Sequence, residues 1–325
     1  MINQVAGWWR AEERKNKSQG RWARWIGRNW ARFSYGHKIE PTWLELNQFD
    51  IGIADLPSAF AGFRIAQLTD FHCSRQVTPA YLQEAVRLAQ AQKPDVIVLT
   101  GDFVHKGYRY VDQVAATLGR LSAPLGVYAV LGNHDFSVRN ALGLRRYRHL
   151  HRRVARALEA QGIRVLRNEA IRLGRGSARM HLAGVEDLWS RCCDLDQALE
   201  GLCPSVPCIM LAHNPRTAEH LQGRRCDLML SGHTHGGQIN WPGLGRPFLR
   251  GHRDFVTPRW ARRLLSNREQ RRTVPSSSRA APVRFAAGLY QFSQTQVYVN
   301  KGVGFGFRFR FGVRPEVAVV TLQPR

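Results

Sequence analysis

Five short apolar runs of this sequence each stop abruptly at a polar cluster, and this repeated pattern constrains the fold more than any other feature. The runs are rich in β-branched and aliphatic residues and are bounded by turn residues, which predicts buried β-strands. A chain of 325 residues is long enough to bury the core that such strands require. The runs lie at residues 64–69, 96–100, 127–131, 208–212 and 228–230.

The segment between the first two runs predicts a helix. Thr78 is a suitable N-cap and Pro79 suits the first helical position, whereas the helix must end before Pro94. A strand, a helix and a strand in this order predict parallel pairing through a right-handed crossover. In such sheets ligands bind beyond the carboxyl ends of the strands, so the polar clusters are expected to share one site.

The polar clusters supply nine side chains that suit metal binding and proton transfer. Carboxylate, imidazole and amide oxygen together are the ligand set of a dinuclear site for divalent transition metals. One carboxylate can bridge two ions about 3.5–4 Å apart, and such a pair can clamp both oxygens of a displacement at phosphorus. Since none of the nine is a thiolate, a structural zinc site is disfavoured. The nine residues are Asp70, His72, Asp102, Asn133, His134, Asp135, His213, His233 and His235.

The order and spacing of these residues resemble the five signature blocks of the calcineurin-like metallophosphoesterases. The blocks are Asp70-x-His72, Gly101-Asp102, Gly132-Asn133-His134-Asp135, a lone His213 and Gly232-His233-x-His235. The resemblance implies an α/β fold, a β-sandwich flanked by helices in four layers, α/β/β/α. It also implies two divalent metal ions, with manganese expected first and iron, zinc or magnesium as alternatives.

The resemblance assigns a role to each of the nine residues. The first metal ion would be held by Asp70, His72, Asp102 and His235. The second would be held by Asp102, Asn133, His213 and His233, so that Asp102 bridges the two. His134 would donate a proton to the leaving oxygen or stabilise its charge. Asp135 would hold the His134 ring and raise its pKa, with simple turn capping as the alternative.

Seven histidines fit none of the five blocks. For these we predict ordinary surface positions or satisfied structural positions rather than a place in the site. They are His37, His105, His149, His151, His181, His220 and His252.

Three further segments resemble one bacterial branch of this superfamily. They lie at residues 232–238, 298–304 and 314–317. The branch includes membrane-associated phosphodiesterases and enzymes that cleave the pyrophosphate bond of UDP-2,3-diacylglucosamine. The resemblance implies hydrolysis of a phosphoester or pyrophosphate bond in a phosphorylated lipid or a nucleotide-linked lipid.

The charge of the chain admits other partners. Lys and Arg number 48 against 24 Asp and Glu, giving a net charge of +24, which predicts attraction to nucleic acid, anionic lipid or a phosphorylated metabolite. A nuclease or nucleotide phosphodiesterase is therefore an alternative, ranked lower because the sequence contains no recognised nucleic-acid module. A non-catalytic scaffold of the same fold is a second alternative, and the intact ligand set argues against it.

The chain divides into a basic N-terminal segment, residues 1–41, and a catalytic domain, residues 42–325, with an Arg-rich insertion near 243–284. On a helix, one side carries Trp22, Trp25, Ile26, Asn29 and Phe33, and Arg21, Arg24, Arg28 and Arg32 fall largely on another, as in helices that lie on an anionic bilayer. A helix docked on the protein's own surface and a partly disordered tail are the alternatives. The alternating Phe and Arg of residues 302–311 could grip an acyl chain beside a phosphate, or form an amphipathic edge strand. Other predicted elements are a basic helix at about 145–160 and strands at 297–299 and 317–322.

The cellular location is predicted from three negative features. The six cysteines form no CxxC pair, which favours free thiols in a reducing compartment. No apolar stretch approaches the length of a membrane span, and the N-terminus lacks the apolar core of a secretory signal. We therefore expect a cytoplasmic protein, with peripheral contact with the inner face of the membrane as a further hypothesis.

Overall fold

Two six-stranded sheets face each other in this computed structural model, which describes residues 27, 29–138, 145–241, 245–246 and 285–325. The strands, in chain order, are β1 (Glu45–Ile53), β2 (Phe63–Leu68), β3 (Val96–Thr100), β4 (Val127–Val130), β5 (Arg164–Val165), β6 (Glu169–Arg175), β7 (Ala178–Gly184), β8 (Cys208–Leu211), β9 (Leu228–Ser231), β10 (Gly288–Phe292), β11 (Thr295–Val299) and β12 (Glu316–Pro324).

The first sheet has the order β1-β12-β2-β3-β4-β5 and the second has the order β10-β11-β9-β8-β7-β6. In the first sheet only the β12–β2 pair is antiparallel. In the second, the antiparallel pairs are the outer ones, β10–β11 and β6–β7. Strands β2 to β5 of the first sheet and β11, β9, β8 and β7 of the second are therefore parallel, and within each set the strands end at one common edge.

The helices are α1 (residues 29–38), α2 (Pro79–Gln90), α3 (Val111–Leu118), α4 (Leu150–Glu159) and α5 (Leu195–Leu199). Helices α2 to α5 cover the outer faces of the two sheets, whereas α1 packs against the chain near Phe309 and Phe311. Short 3-10 helices lie at Glu40–Thr42, Ser58–Phe60, Leu188–Ser190, Pro215–His220 and His235–Gly237.

Buried apolar side chains form three layers, one between the two sheets and one on the outer face of each sheet. One layer fills the space between the sheets, where Ile65 and Val98 of the first pack with Leu211 and Leu230 of the second. A second layer lies between the first sheet and helices α2, α3 and α4. A third covers the outer face of the second sheet and includes α5. The predicted α/β fold, a β-sandwich flanked by helices, is confirmed.

The predicted unit of strand, helix and strand is also confirmed. Strands β2 and β3 are parallel neighbours, and α2 connects them. The hydroxyl of Thr78 accepts the N–H of Tyr81 at 3.3 Å, and Pro79 is the first residue of the helix. Helix α4 begins at Leu150, later than predicted, after a turn in which the N–H of Leu150 donates to the carbonyl of Tyr147.

Residues 302–310 form no strand, so the edge-strand alternative for the Phe/Arg stretch is wrong. The side-chain amide of Gln238 donates to the carbonyl oxygens of Phe307 and Phe309, both at 2.9 Å. The Gln238 side chain therefore donates the hydrogen bonds that a neighbouring strand would otherwise donate to these carbonyl oxygens.

The described part of the N-terminal segment lies on the protein's own surface. In α1, the carbonyl of Gly36 accepts the N–H of Arg310 at 2.9 Å, and Phe33 packs against Phe309 with ring centroids 5.5 Å apart. Trp30 nevertheless stays 71% exposed. Residues 21–26 and 28 of the predicted interfacial helix, and most of the predicted insertion at 243–284, lie outside the described residues. Among the described residues, no helix has the length and apolar character needed to cross a bilayer.

Candidate metal centre

The five predicted strand-end clusters meet where the edges of the two sheets come together. In the first sheet, Asp70, Asp102 and Asn133 follow β2, β3 and β4. In the second sheet, His213 and His233 follow β8 and β9. The backbone N–H of His233 donates to the Asp70 carboxylate at 2.9 Å, which joins the two edges directly. The structure thus brings all five clusters into one site.

One group of ligand-type atoms gathers around Asp70. The Nε2 atoms of His72 and His235 lie 2.9 Å apart. Oδ1 of Asp70 lies 3.3 Å from Nε2 of His235 and 3.8 Å from Nε2 of His72. All three side chains are buried or nearly so. The three residues therefore present one oxygen and two nitrogens to a common point.

A second group gathers around Asn133. Its Oδ1 lies 3.2 Å from Nε2 of His213 and 2.9 Å from Nδ1 of His233. The two ring nitrogens are 3.3 Å apart. These residues also converge on one point.

The carboxylate of Asp102 lies between the two groups. Its Oδ2 is 3.5 Å from Nε2 of His72 and 3.3 Å from Nε2 of His213. Its Oδ1 accepts the backbone N–H of His134 at 2.8 Å, which holds the carboxylate plane in place. One oxygen of Asp102 is therefore shared by both groups, which is the position of a bridging ligand.

The chemistry of these donors fits two divalent cations better than a network of hydrogen bonds. Two neutral imidazole nitrogens that face each other at 2.9 Å or 3.3 Å need a shared proton or a cation between them. The Oδ1 atom of Asp70 is buried and makes no hydrogen bond with any described residue. Nitrogen and oxygen donors of this kind suit divalent transition metals.

The electrostatics of the two central carboxylates are consistent with cation binding. Burial alone would raise the pKa of Asp70, but the neighbouring His235 lowers it below its ordinary value. At Asp102, burial alone would also raise the pKa of the carboxyl, but His213 lowers it well below the ordinary value. Both groups are therefore ionised at neutral pH.

The backbone at the strand ends is strained. Asp70, His72, Asp102, His233 and His235 have φ of 54°, 44°, 56°, 71° and 50°, in the left-handed region that non-glycine residues rarely adopt. Each such residue costs on the order of 1 kcal/mol or more, and such strain is concentrated at functional sites. The turn after each strand is what redirects these side chains toward one point.

Two glycines of the signature blocks are required by close approach. A Cβ at residue 232 would lie 2.2 Å from Oδ2 of Asp70, and one at residue 132 would lie 2.3 Å from Oδ1 of Asp102. Side chains at either position would displace a carboxylate, which explains why the polar residues are preceded by glycine.

His134 lies beside the two groups and is half-buried. Its Nδ1 atom is 2.9 Å from the carbonyl oxygen of His105. Because a carbonyl oxygen can only accept a hydrogen bond, Nδ1 of His134 carries a proton in this contact. The other ring nitrogen, Nε2, is not engaged in this contact. The rings of His134 and His72 are nearly perpendicular, with centroids 4.7 Å apart.

Asp135 makes the contacts of its alternative predicted role, turn capping. Its Oδ2 accepts the N–H groups of Asp102 and Gly132, both at 2.9 Å, and its Oδ1 accepts those of Phe103 at 2.9 Å and Val104 at 3.3 Å. Burial and the charge of Asp102 raise the pKa of Asp135 to about 8. Because four donors converge on its two oxygens, we assign it as a carboxylate. The prediction that Asp135 holds the His134 ring is corrected: the carbonyl of His105 contacts that ring, and Asp135 supports the loop after β3.

Sequence reasoning missed two residues beside the second ligand group, Asp187 near His213 and Trp189 at His233. Asp187 is fully buried, and its backbone follows β7, whose neighbour β8 leads to His213. The ring of Trp189 stands edge-on to that of His233, with centroids 4.5 Å apart. The pair Glu186-Asp187 is itself a polar cluster after a strand, so the same pattern could have found it.

Arg310 belongs to the Phe/Arg stretch of residues 302–311, whose arginines could contact a phosphate according to the sequence. It is fully buried, and its Nη2 donates to the carbonyls of Lys301, Gly302 and Gly304 at 2.9, 3.1 and 2.5 Å. The same nitrogen lies 3.4 Å from Nδ1 of His235. Arg310 therefore braces the loop behind the metal centre and is not available to a substrate phosphate, unlike the exposed Arg308.

A sandwich of two sheets with carboxylates, histidines and asparagine gathered at its strand ends defines a metallophosphoesterase. Residues 63–237 match the calcineurin-like phosphoesterase family, and the chain belongs to that family. The predicted enzyme class, a phosphoester hydrolase, is confirmed.

Three relatives cover most of the chain. Phosphodiesterase YaeI of Escherichia coli (strain K12) is 32% identical over 294 residues, which are 89% of this chain and 92% of YaeI. The metallophosphoesterase YkuE of Bacillus subtilis (strain 168) is 30% identical, with 90% of each chain covered. The UDP-2,3-diacylglucosamine pyrophosphatase LpxG of Chlamydia trachomatis is 27% identical, with 88% of this chain and 91% of LpxG covered. The predicted resemblance to a branch with both activities is confirmed.

Proposed function

We propose that this protein hydrolyses a phosphodiester or pyrophosphate bond in a lipid-linked substrate such as UDP-2,3-diacylglucosamine, using two divalent ions. Asp70, His72, His235 and Asp102 would hold one ion, and Asp102, Asn133, His213 and His233 the other. The observation that carries this proposal is the position of Asp102, whose Oδ2 lies 3.5 Å from His72 and 3.3 Å from His213. Manganese is the first candidate, and the nitrogen and oxygen donors also suit iron, zinc or magnesium.

In the proposed reaction, different side chains would bind the metal ions, protonate the leaving oxygen and hold Asp102 in position. When bound, the two ions would lower the pKa of a bound water and would supply positive charge that stabilises the phosphoryl oxygens. His134 would protonate the leaving oxygen from Nε2, since Nδ1 faces the carbonyl of His105. Asp135 would keep Asp102 in position through the backbone of the loop that follows β3.

Two observations support a lipid-linked substrate. LpxG, at 27% identity, acts on UDP-2,3-diacylglucosamine. Exposed aromatic side chains also lie on α1 and on the 302–311 stretch that it contacts: Trp30 is 71%, Phe33 53% and Phe307 43% exposed. The carbonyl of Phe307 accepts a hydrogen bond from the side chain of Gln238, and Gln238 lies three residues after His235 in the chain. A surface of this kind can contact acyl chains while the net charge of +24 attracts anionic headgroups. We therefore propose peripheral attachment to the inner face of the membrane through the N-terminal segment.

The catalytic proposal is tested by metal-dependent hydrolysis. The purified protein is stripped of metal, reloaded with each divalent ion, and assayed on bis(p-nitrophenyl) phosphate, p-nitrophenyl phosphate and UDP-2,3-diacylglucosamine. We expect metal-dependent cleavage of the UDP-lipid, and Asp102→Asn should lose bound metal and activity together. Asp50→Asn makes the same change at an exposed carboxylate and should retain both. Full activity of Asp102→Asn would rule out the bridging role.

The same assay separates the alternatives. The net charge of +24 is the observation that favours a nucleotide substrate, so single-stranded DNA and a cyclic nucleotide are included. Cleavage of these alone, with steep salt dependence, would identify a nuclease or nucleotide phosphodiesterase. Inactivity on every substrate with every ion would favour a non-catalytic scaffold.

Membrane attachment is tested by sedimentation with vesicles of phosphatidylglycerol or phosphatidylcholine. We expect binding to the anionic vesicles only. Replacing Trp22, Trp25 and Trp30 by serine should reduce binding and spare hydrolysis of the soluble diester. Tyr108→Ser, at an exposed aromatic residue outside the N-terminal segment, is the matched control. Equal binding by both variants would argue against the attachment.

A further inference from the structure

Three imidazole rings lie together at the edge of the metal centre, and the proposed reaction uses only two of them. His105 lies 5.6 Å from His72 and 5.5 Å from His134 between ring centroids. Each of the three rings has a nitrogen within 4.8 Å of a nitrogen of the other two. His105 was predicted to be an ordinary histidine, and its place beside the site comes from the tertiary structure alone.

The loop after β3 holds His105 firmly in this position. Val104 bridges to Cys73 beside His72, and the N–H of His105 donates to the carbonyl of Cys73 at 3.3 Å. The carbonyl of His105 in turn faces Nδ1 of His134. The side chain is half-buried, so part of it is open to solvent. His105 is therefore tied through its backbone to both neighbours, while its ring belongs to neither proposed ligand group.

We propose that His105 binds the second phosphoryl group of a diphosphate substrate. This inference rests on the proposed function and narrows its substrate class. In a simple diester, the two ions and His134 can account for every contact at the single phosphorus. In a diphosphate, the leaving oxygen is bonded to a second phosphorus, whose anionic oxygens lie next to the group that protonates the leaving oxygen. His105 is the ring beside His134, and a neutral imidazole N–H donates to such an oxygen.

The proposal is tested by comparing two substrates rather than one. The full-length protein, His105→Ala and His105→Gln are loaded with metal and assayed on UDP-2,3-diacylglucosamine and on bis(p-nitrophenyl) phosphate. A lost hydrogen bond to a charged oxygen should lower kcat/KM for the diphosphate about 10- to 100-fold in His105→Ala. The fall for the diester should stay within about threefold. His105→Gln, which keeps an N–H donor, should recover part of the loss. His220→Ala, at an exposed histidine, is the control and should match the wild type.

Each contrary result has a distinct meaning. An equal loss on both substrates, or no loss on either, overturns the contact with a second phosphoryl group. Loss of a metal equivalent from His105→Ala, measured by elemental analysis, overturns it as well and makes His105 a metal ligand. Wild-type cleavage of the diester but not of the diphosphate rejects this inference and leaves the phosphodiesterase activity standing. Wild-type inactivity on both substrates rejects the proposed function itself.

Discussion

The carboxylate of Asp135 accepts the backbone N–H of Asp102 at 2.9 Å. The residue that lies between the two ligand groups is thus held through its own main chain by a side chain from the next strand end. Because Asp135 also accepts N–H groups from Phe103, Val104 and Gly132, it joins the loops after β3 and β4 into one unit. The position of Asp102 depends on that unit.

Replacing Asp135 by asparagine should destabilise the metal-free protein. The amide NH₂ of the new side chain would face backbone N–H groups, and hydrogen bonds to a charged acceptor would be lost. We expect the free energy of unfolding to fall by about 3 kcal/mol, measured by urea denaturation. Asp112→Asn, at an exposed carboxylate paired with Arg153, should change it by less than about 1 kcal/mol. Similar losses in both variants would contradict the structural role of Asp135.

Replacing His134 by alanine should abolish most turnover and leave the metal in place. A general acid contributes about 100- to 10,000-fold to rate, so kcat on a substrate with a poor leaving group should fall in that range. The metal content measured by elemental analysis should equal that of the wild type. If the variant instead lost metal, His134 would be a ligand and the proposed division of labour would fail.

Gly232→Ala should damage the metal centre without unfolding the protein. The new Cβ would lie 2.2 Å from Oδ2 of Asp70 and 2.3 Å from Oγ1 of Thr69, so the carboxylate must move. We expect a loss of about 10- to 100-fold in metal affinity, measured by competition with a chelator. Gly174→Ala is the control, since its Cβ would be 3.4 Å from the flexible end of Arg179. Unchanged affinity in Gly232→Ala would mean that Asp70 is not a ligand.

His151 should make the stability of the metal-free protein depend on pH. Burial, together with nearby arginines, lowers its pKa from 6.5 to about 4, and its ring stacks on Phe136. As pH falls below 6.5 the unfolded chain takes up the proton first, so the native state loses stability until pH passes below about 4. The loss attributable to this residue between pH 7.5 and pH 5 is about 2 kcal/mol.

His151→Phe keeps a ring on Phe136 and cannot titrate. Its free energy of unfolding should therefore change less than that of the wild type between the two pH values, as measured by urea denaturation. His220→Phe, at an exposed histidine that does not contribute to the His151 pKa shift, should leave the wild-type pH dependence intact. Identical pH dependence in His151→Phe and the wild type would show that another group is responsible.

The strand ends were predictable because their signals are local. An apolar run such as residues 96–100 and the turn residues after it are adjacent in the chain, and parallel pairing brings their ends to one edge. The edge strands were harder to predict. Strand β1 alternates half-buried and exposed residues over most of its length, and β5 has only two residues, so neither has a strong pattern.

The sequence by itself determined the nine residues gathered at the strand ends, because these depend on local patterns in a recognisable order. Through the resemblance that those patterns carry, it also implied the family and its two-sheet fold. Only the tertiary structure decided what each side chain contacts. It assigned Asp135 to the backbone of the loop after β3, placed His105 beside His134, and buried Arg310 behind His235. These contacts join residues from about 30 to 75 positions apart, and their geometry depends on how separate loops pack, which no local pattern specifies.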